Sequence, residues 1–402
     1  MNINKSSNKL IKHGTYVTEK IHTNCLSLQD YVTTENLLQN KQGLTCVDAL
    51  PAKDANVTAF KKGDILIANI RPYLKKIWFA THDGGCSSDV LTIRANKSTD
   101  SKFLYYTLLR DDFFIHVMNG SKGTKMPRGE KSQIMEFLIP AFDLDLQKKV
   151  AATLSVLDDK IKLNNQINAE LEAMAKTLYD YWFVQFDFPN ADGKPYKSTG
   201  GKVVYNEVLK REIPEGWKDS TLWNIAIYYN GLAMQKYRAT GDEYLPVIKI
   251  REMNNGISSD TEKAKVDIPK AAVIEDGDLL FSWSATLDVK IWSEGKGALN
   301  QHIFKVTSDT YPQSFYYFEL MNYLSHFKMM ADLRKTTMGH ITLEHLKQAN
   351  IVLPPIELIE KLDEKLKPIF EHILVLKKES NSLVKLRDWL LPMLMNGQVT
   401  VT

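Results

Sequence analysis

Thirteen residues, Asn119 to Lys131 (NGSKGTKMPRGEK), set Lys122, Lys125, Arg128 and Lys131 against one acid, Glu130, among three glycines. Cations on a backbone that permits close approach suit a phosphate-facing loop, with Thr124 as a further donor. A second stretch, Leu333 to Ile341 (LRKTTMGHI), offers Arg334, Lys335, Thr337 and His340, whose donors can reach phosphates or base edges. Arg71, Lys75 and Lys76 in IRPYLKKIW, together with Lys290, Gln301 and His302, form a third candidate group. Each of these stretches also reads as a solvated, charged turn.

Catalytic chemistries fit less well. An amino-methyltransferase needs a polar Asn or Asp before its proline pair, whereas Leu353-Pro354-Pro355-Ile356 has leucine there. Gly295-Lys296-Gly297 lacks an acidic ribose partner and a strand–turn–helix context, and no GxxxxGK[ST] phosphate loop occurs. Asp288, Glu294 and Lys296 could be assembled into a metal-dependent nuclease site, but the first half of the chain does not repeat that charge pattern. His302 and His340 have no nearby Ser, Cys or carboxylate arrangement that recurs. Cys25, Cys46 and Cys86 are odd in number and widely spaced, which fits reduced thiols better than disulfides or zinc.

The elements that position the candidates come in two copies. KGDIL at Lys62 to Leu66 matches DGDLL at Asp276 to Leu280, a separation of 214, and at the same offset Lys76-Ile77-Trp78 faces Lys290-Ile291-Trp292. Phe103-Leu104-Tyr105-Tyr106 matches Phe315-Tyr316-Tyr317-Phe318, and Ile139-Pro140 matches Leu353-Pro354. A period near half the chain means two domain-sized copies, not a solenoid. Each front part mixes short apolar runs such as ILIANI and DLLFSWSA with turns, and reads as strands, helices and loops.

Each tail changes register to a heptad seam. In the first it runs Leu154, Leu157, Ile161, Asn164, Asn168, Leu171, Ala175, Leu178 and Trp182, with no proline between Pro140 and Pro189. The two asparagines can fix register in a seam or lie at the wet edge of an amphipathic helix. The second seam runs Ile359, Leu362, Leu366, Ile369, Ile373, Leu376, Leu383, Leu390 and Leu394, with Ser380 and Arg387 at two seam positions. Pro368 predicts a kink there, or two helices meeting. Burying one seam on the other is the economical solution; an antiparallel pair would put the two fronts at opposite ends.

At 402 residues, with 44% hydrophobic and 25% charged, the chain is a globular protein of two to three domains. A net charge of +3 neither demands nor excludes a polyanion partner, so any basic surface is local. The N-terminal MNINKSSNKLIKHG has no signal-type apolar core and no run of 18 apolar residues exists, so the expected location is the cytoplasm and no membrane contact is expected.

Over its whole length the chain resembles the specificity subunit of type I restriction-modification systems. The resemblance is carried by Asp145 to Phe188 (DLQKKVAATLSVLDDKIKLNNQINAELEAMAKTLYDYWFVQFDF), by Gly193 to Trp217 ending in IPEGW, and by Leu386 to Val399 (LRDWLLPMLMNGQV). It implies an α+β chain: two globular α/β target recognition domains in pseudo-two-fold arrangement, separated by an antiparallel coiled coil of two long helices. The expected divisions are residues 1–142, a spacer helix at 143–188, a linker and second recognition domain at 189–355, and a second spacer at 356–402. The resemblance further implies a non-catalytic subunit that reads the two halves of an asymmetric site in double-stranded DNA. It would recruit two modification subunits, which bind S-adenosylmethionine and methylate adenine, and restriction subunits, which use ATP and Mg; this chain itself would hold no cofactor. Trp182, Trp389 and Leu391 are the expected partner contacts, with intramolecular core the competing reading, more so for Leu390 than for Trp389 or Leu391. A protein scaffold indifferent to DNA and a self-sufficient nuclease remain as alternatives.

Overall fold

The computed structural model describes residues 7–51, 55–333 and 340–401. Two compact units divide the chain: Met1–Lys160 with Leu383–Thr402, and Ile161–Ser382. Each is built on the same antiparallel four-stranded sheet. In the first unit the order is Gly14–Tyr16, Val90–Ala95, Ile65–Ala68, Ile77–Phe79. In the second it is Ile227–Asn230, Ile303–Thr307, Leu279–Ser282, Asp288–Ile291. The inner strands Ile65–Ala68 and Leu279–Ser282 are buried along their whole length. A strand covered on both faces reads as a continuous apolar run, which is what ILIA and LLF are. Gly63 and Gly277 precede them, both at φ +94°, where the KGD and DGD turns need glycine.

A second sheet also recurs. Tyr31–Val32 runs parallel to Gly84–Cys86, which pairs antiparallel with Asn56–Phe60. In the other unit Leu245–Ile248 runs parallel to Gly297–Leu299, which pairs antiparallel with Val273–Ile274. The copies differ in their fourth strand: Lys20–His22 joins Asn56–Phe60 on one edge, whereas Lys263–Ala264 joins Leu245–Ile248 on the opposite edge.

The ladders correct one feature of the repeat. Ile65 faces Phe79, and its counterpart Leu279 faces Ile291, so the offset falls from 214 on the first strand of the hairpin to 212 on the second. Lys290 therefore faces Leu280 where Trp78 faces Leu66, and its counterpart is Trp78, not Lys76. A slip of two residues leaves every side chain on the same face of the pleat, so the KIW match hid a shorter hairpin connection.

The first long helix spans Leu144–Tyr179 and continues through a π-helical turn, Asp180–Val184, before Phe186 leaves it at φ +66°. The second spans Ile356–Met395. It passes through Pro368 as one continuous helix, so of the two expected outcomes, a kink or two helices meeting, the second does not occur. Pro368 and Glu364 are both exposed, so the proline stands on the solvent side of the helix, while Leu362 and Leu366 hold the same turns in the core. No described helix is long and apolar enough to cross a membrane.

Seam positions are buried or half-buried throughout, and the pairing is antiparallel within each unit. In the first, Arg387 bonds Asp158 at 2.8 Å, and Val150, Ala151 and Leu154 share a core with Leu391, Leu394 and Met395. In the second, Asn164 donates to Glu379 at 2.7 Å and Lys377 pairs with Glu172 at 2.9 Å. Asn164 and Asn168 are thus seam residues, not wet-edge ones, 0% and 4% exposed. Among the described residues, neither the Asn168 amide nor the Ser380 hydroxyl has a hydrogen-bond partner. Such groups cost stability and penalise shifted pairings, which is how a buried asparagine specifies register.

Glu319 ties the helix pair's end to the second core by accepting a hydrogen bond from the Tyr179 hydroxyl. Burial pushes its carboxyl up to about 7 from an ordinary 4.5. The folded state then keeps a proton that the unfolded chain releases, so stability is full below pH 4.5 and falls through neutrality by up to about 3 kcal/mol. Glu319→Gln retains an acceptor and should flatten that slope in denaturant titrations between pH 4.5 and 8.

Candidate nucleic-acid interface

In the first unit two loops are laced together. Ile70 bridges Arg128 antiparallel, Arg71 donates its N–H to Pro127 O at 2.8 Å, and Gly129 donates to Asn69 O at 3.1 Å. The charged loop of residues 119–131 therefore rests on the 69–76 hairpin connection. Gly129 is required by this contact, since a Cβ there would sit 2.8 Å from Val117 and 2.9 Å from Asn69 Oδ1. A second pair of backbone bonds between Lys122 and Arg128, both 3.0 Å, folds the loop's tip into a tight hairpin.

Cations cluster on this edge, but in different states. Lys122 pairs with Glu130 at 3.1 Å, Arg128 with Asp89 at 3.1 Å, and Lys75 with Asp111 at 3.0 Å, where Lys41 also docks. Lys76 is turned inward and donates to Thr34 O; burial lowers its pKa, which marks it as an internal anchor, not a phosphate contact. Arg71 and Lys125 are exposed and have no ion-pair partner among the described residues. Thr124, Tyr73 and Met126 are exposed beside them, so the edge is cationic with apolar relief.

The second unit repeats the lacing with other side chains. Ser284 bridges His340, and Ile341 donates to Trp283 O at 2.7 Å. Trp283 stands between two imidazoles, with ring centroids 5.5 Å from His302 and 6.3 Å from His340, and gives its indole N–H to Asn230 Oδ1 at 3.0 Å. Gln301 lies against His302 Nε2 at 3.4 Å. This edge is aromatic and amide-rich where the first is cationic. Arg334, Lys335 and Thr337 lie outside the described residues.

Lys290 is not part of that edge: its Nζ donates to Met253 O at 2.8 Å, and burial, with Lys377 nearby, lowers its pKa. The nuclease combination is also dispersed, since Lys296 pairs with Glu275 at 3.0 Å and Glu294 accepts the Ile257 N–H at 2.9 Å. No metal-holding cluster of His, Cys, Asp and Glu occurs among the described residues. Sequence reasoning missed Trp283 and Asn230. The repeat carried a signal for Trp283, which stands 214 residues after Asn69 in the same laced connection.

Of the three expected partner contacts, Trp182 and Leu391 are corrected by their burial. Each is 3% exposed, in the second and first core respectively, because both fall on the side of their helix that closes over the sheets. Leu391 is also the more buried neighbour of half-buried Leu390, the reverse of the expected order. Trp389 is 57% exposed, next to exposed Leu386.

The family described as the type I restriction modification DNA specificity domain matches residues 4–173 and again 214–385, one match per copy. The chain belongs to this family. Specificity subunits are DNA-recognition, non-catalytic components of type I restriction-modification systems, and the chain is one of them. The MjaIX specificity subunit of Methanocaldococcus jannaschii is 26% identical over 360 residues, covering 87% of this chain and 80% of its own. The HindI specificity subunit of Haemophilus influenzae is 25% identical over 435 residues, covering 92% and 94%. The fold is similar to a crystal structure of a type I system S subunit from M. genitalium, with TM-score 0.56 and 16% identity over 98% of this chain and 96% of that one. As a specificity subunit the chain belongs with DNA and with methyltransferase partners, and the family implies no cofactor of its own.

Proposed function

We propose that the chain reads a bipartite, asymmetric site in double-stranded DNA, one half through each laced loop pair. The observation that carries this reading is the duplicated edge: the same backbone lacing in both units, with a cationic set of side chains in one and an aromatic and amide set in the other. Equal scaffolds with unequal side chains suit two different half-sites. The recognition segments are residues 1–142 and 189–355, and the segments 143–188 and 356–402, which hold the long helices Leu144–Tyr179 and Ile356–Met395, act as spacers. Arg71, Lys122, Thr124, Lys125 and Arg128 face one half-site, and Gln301, His302, His340 and the segment holding Arg334, Lys335 and Thr337 face the other.

The chain recruits two modification subunits, which bring S-adenosylmethionine and methylate adenine, and restriction subunits, which bring ATP and Mg. Trp389 is the proposed docking residue on the second helix. The cytoplasm, where the cell's own DNA lies, is the proposed location.

Binding of duplex DNA by the assembly of chain and modification subunits, titrated over 50 to 200 mM salt, tests the reading. Removing both Lys125 and Arg128 should reduce the salt slope by about 1 per phosphate contact and weaken binding roughly uniformly across sequences. Mapping methylated adenines made by the same assembly should give two distinct half-sites at fixed spacing. No sequence preference in either measurement would support a protein scaffold instead, and DNA cleavage by the pure chain with magnesium would support a nuclease.

A further inference from the structure

The hairpin connection of each unit turns through a non-glycine residue in the left-handed region, Arg71 at φ +52° and Ala285 at φ +56°. They are the same position. Their separation is the 214 of the preceding strands, and Ile70 and Ser284, the residues before them, make the equivalent bridges to Arg128 and His340. The bond from Gly129 to Asn69 in one unit recurs as the bond from Ile341 to Trp283 in the other. Left-handed backbone disfavours every residue with a Cβ, and glycine would adopt it freely. Both copies nonetheless hold a side chain there, and the two side chains are unlike.

A constant, strained backbone that presents a changing side chain is what a base-reading position requires: fixed aim, variable chemistry. Exposure agrees, since Arg71 and Ala285 are both at the surface. So does charge. Lys75, Lys122 and Arg128 spend their charge on Asp111, Glu130 and Asp89, whereas the Arg71 guanidinium has no ion-pair partner among the described residues. Its planar fork of donors matches the O6 and N7 acceptors of guanine, whereas a glutamine at the same place would pair with the N6 and N7 of adenine. Alanine offers only a methyl, which can contact the C5-methyl of thymine but no hydrogen-bonding edge.

We propose that the position shared by Arg71 and Ala285 reads a base, with Arg71 donating to a guanine in the half-site of the first unit and Ala285 admitting a base without a donor contact in the other. This rests on the reading above that both laced edges face DNA. Selection from a pool of randomised duplexes by the chain assembled with its methyltransferase subunits, followed by sequencing, tests it. The parent should enrich a bipartite site with a guanine in one half. Arg71→Gln should reduce the preference for that guanine at least tenfold and shift it toward adenine, leaving the other half-site unchanged. Ala285→Arg should create a guanine preference at one position of the other half-site. Unchanged preference in Arg71→Gln, or an even loss of affinity over all sequences, overturns the assignment and makes Arg71 a phosphate contact. Absence of a new preference in Ala285→Arg counts against it in the same way. A parent that enriches no sequence at all would instead overturn the DNA-reading proposal itself.

Discussion

Arg387→Ala is expected to destabilise the first unit by about 1.5–3 kcal/mol, as loss of charge-assisted hydrogen bonds in a half-buried ion pair generally does. Its guanidinium bonds Asp158 at 2.8 Å and Asp388 at 2.9 Å, with its side chain only 13% exposed. Burial works against its charge, but the two carboxylates outweigh that and hold its pKa above the ordinary value. Asp158 in turn accepts the Tyr106 hydroxyl at 2.6 Å, so the alanine variant leaves a carboxylate half-desolvated against a buried phenol. Hydrogen exchange in the helix Ser101–Leu108, which carries Tyr106, should report the loss as faster exchange of its most protected amides. Arg387→Met combined with Asp158→Asn should recover most of the stability, because an apolar and neutral pair of similar volume carries no stranded charge. Exchange within threefold of the parent in the alanine variant would mean that water already screens the pair.

The same residue shows how far the sequence could be read. Heptad spacing gave both seams, because a period of 3.5 maps directly onto one helix face. It also put Arg387 and Ser380 at seam positions without saying what they meet. Asn164 and Asn168 stayed open between seam and wet edge, since a polar residue at a seam position has both solutions until its partner helix is placed. The hairpin offset was misread by two residues because the pleat repeats every two, and Lys290 acquired a surface role that the sheet does not allow. Charge was legible by type and not by state: Lys76, Lys75 and Arg71 lie within six residues, yet one is an internal anchor, one is ion-paired and one has no ion-pair partner among the described residues. Only the fold decides among these, by the carbonyls and carboxylates it brings alongside. Trp283 read as part of an apolar strand run, and its place between two imidazoles depends on a contact between segments more than fifty residues apart.

Two tryptophans in the long helices should respond in opposite ways to the same truncation. Trp182→Ala removes a large side chain from the second core, where Trp182 is 3% exposed and packs on Phe183. The expected cost is about 3–5 kcal/mol, seen as loss of the cooperative unfolding transition of that unit or a large drop in its midpoint. Trp389→Ala removes an indole that is 57% exposed, so stability should stay within about 0.5 kcal/mol of the parent. Its effect is expected in assembly. An exposed tryptophan next to exposed Leu386 has the composition of an interface anchor, and truncating such anchors costs at least about 2 kcal/mol, roughly thirtyfold in affinity. Titration of the methyltransferase subunit into the parent and the Trp389→Ala chain measures this directly. Equal affinity would remove Trp389 from the docking surface and leave it a solvated helix residue. A Trp182→Ala chain with normal stability would mean that the second core closes without the turn that ends the first long helix, at odds with the burial of Tyr179, Trp182 and Phe183 in succession.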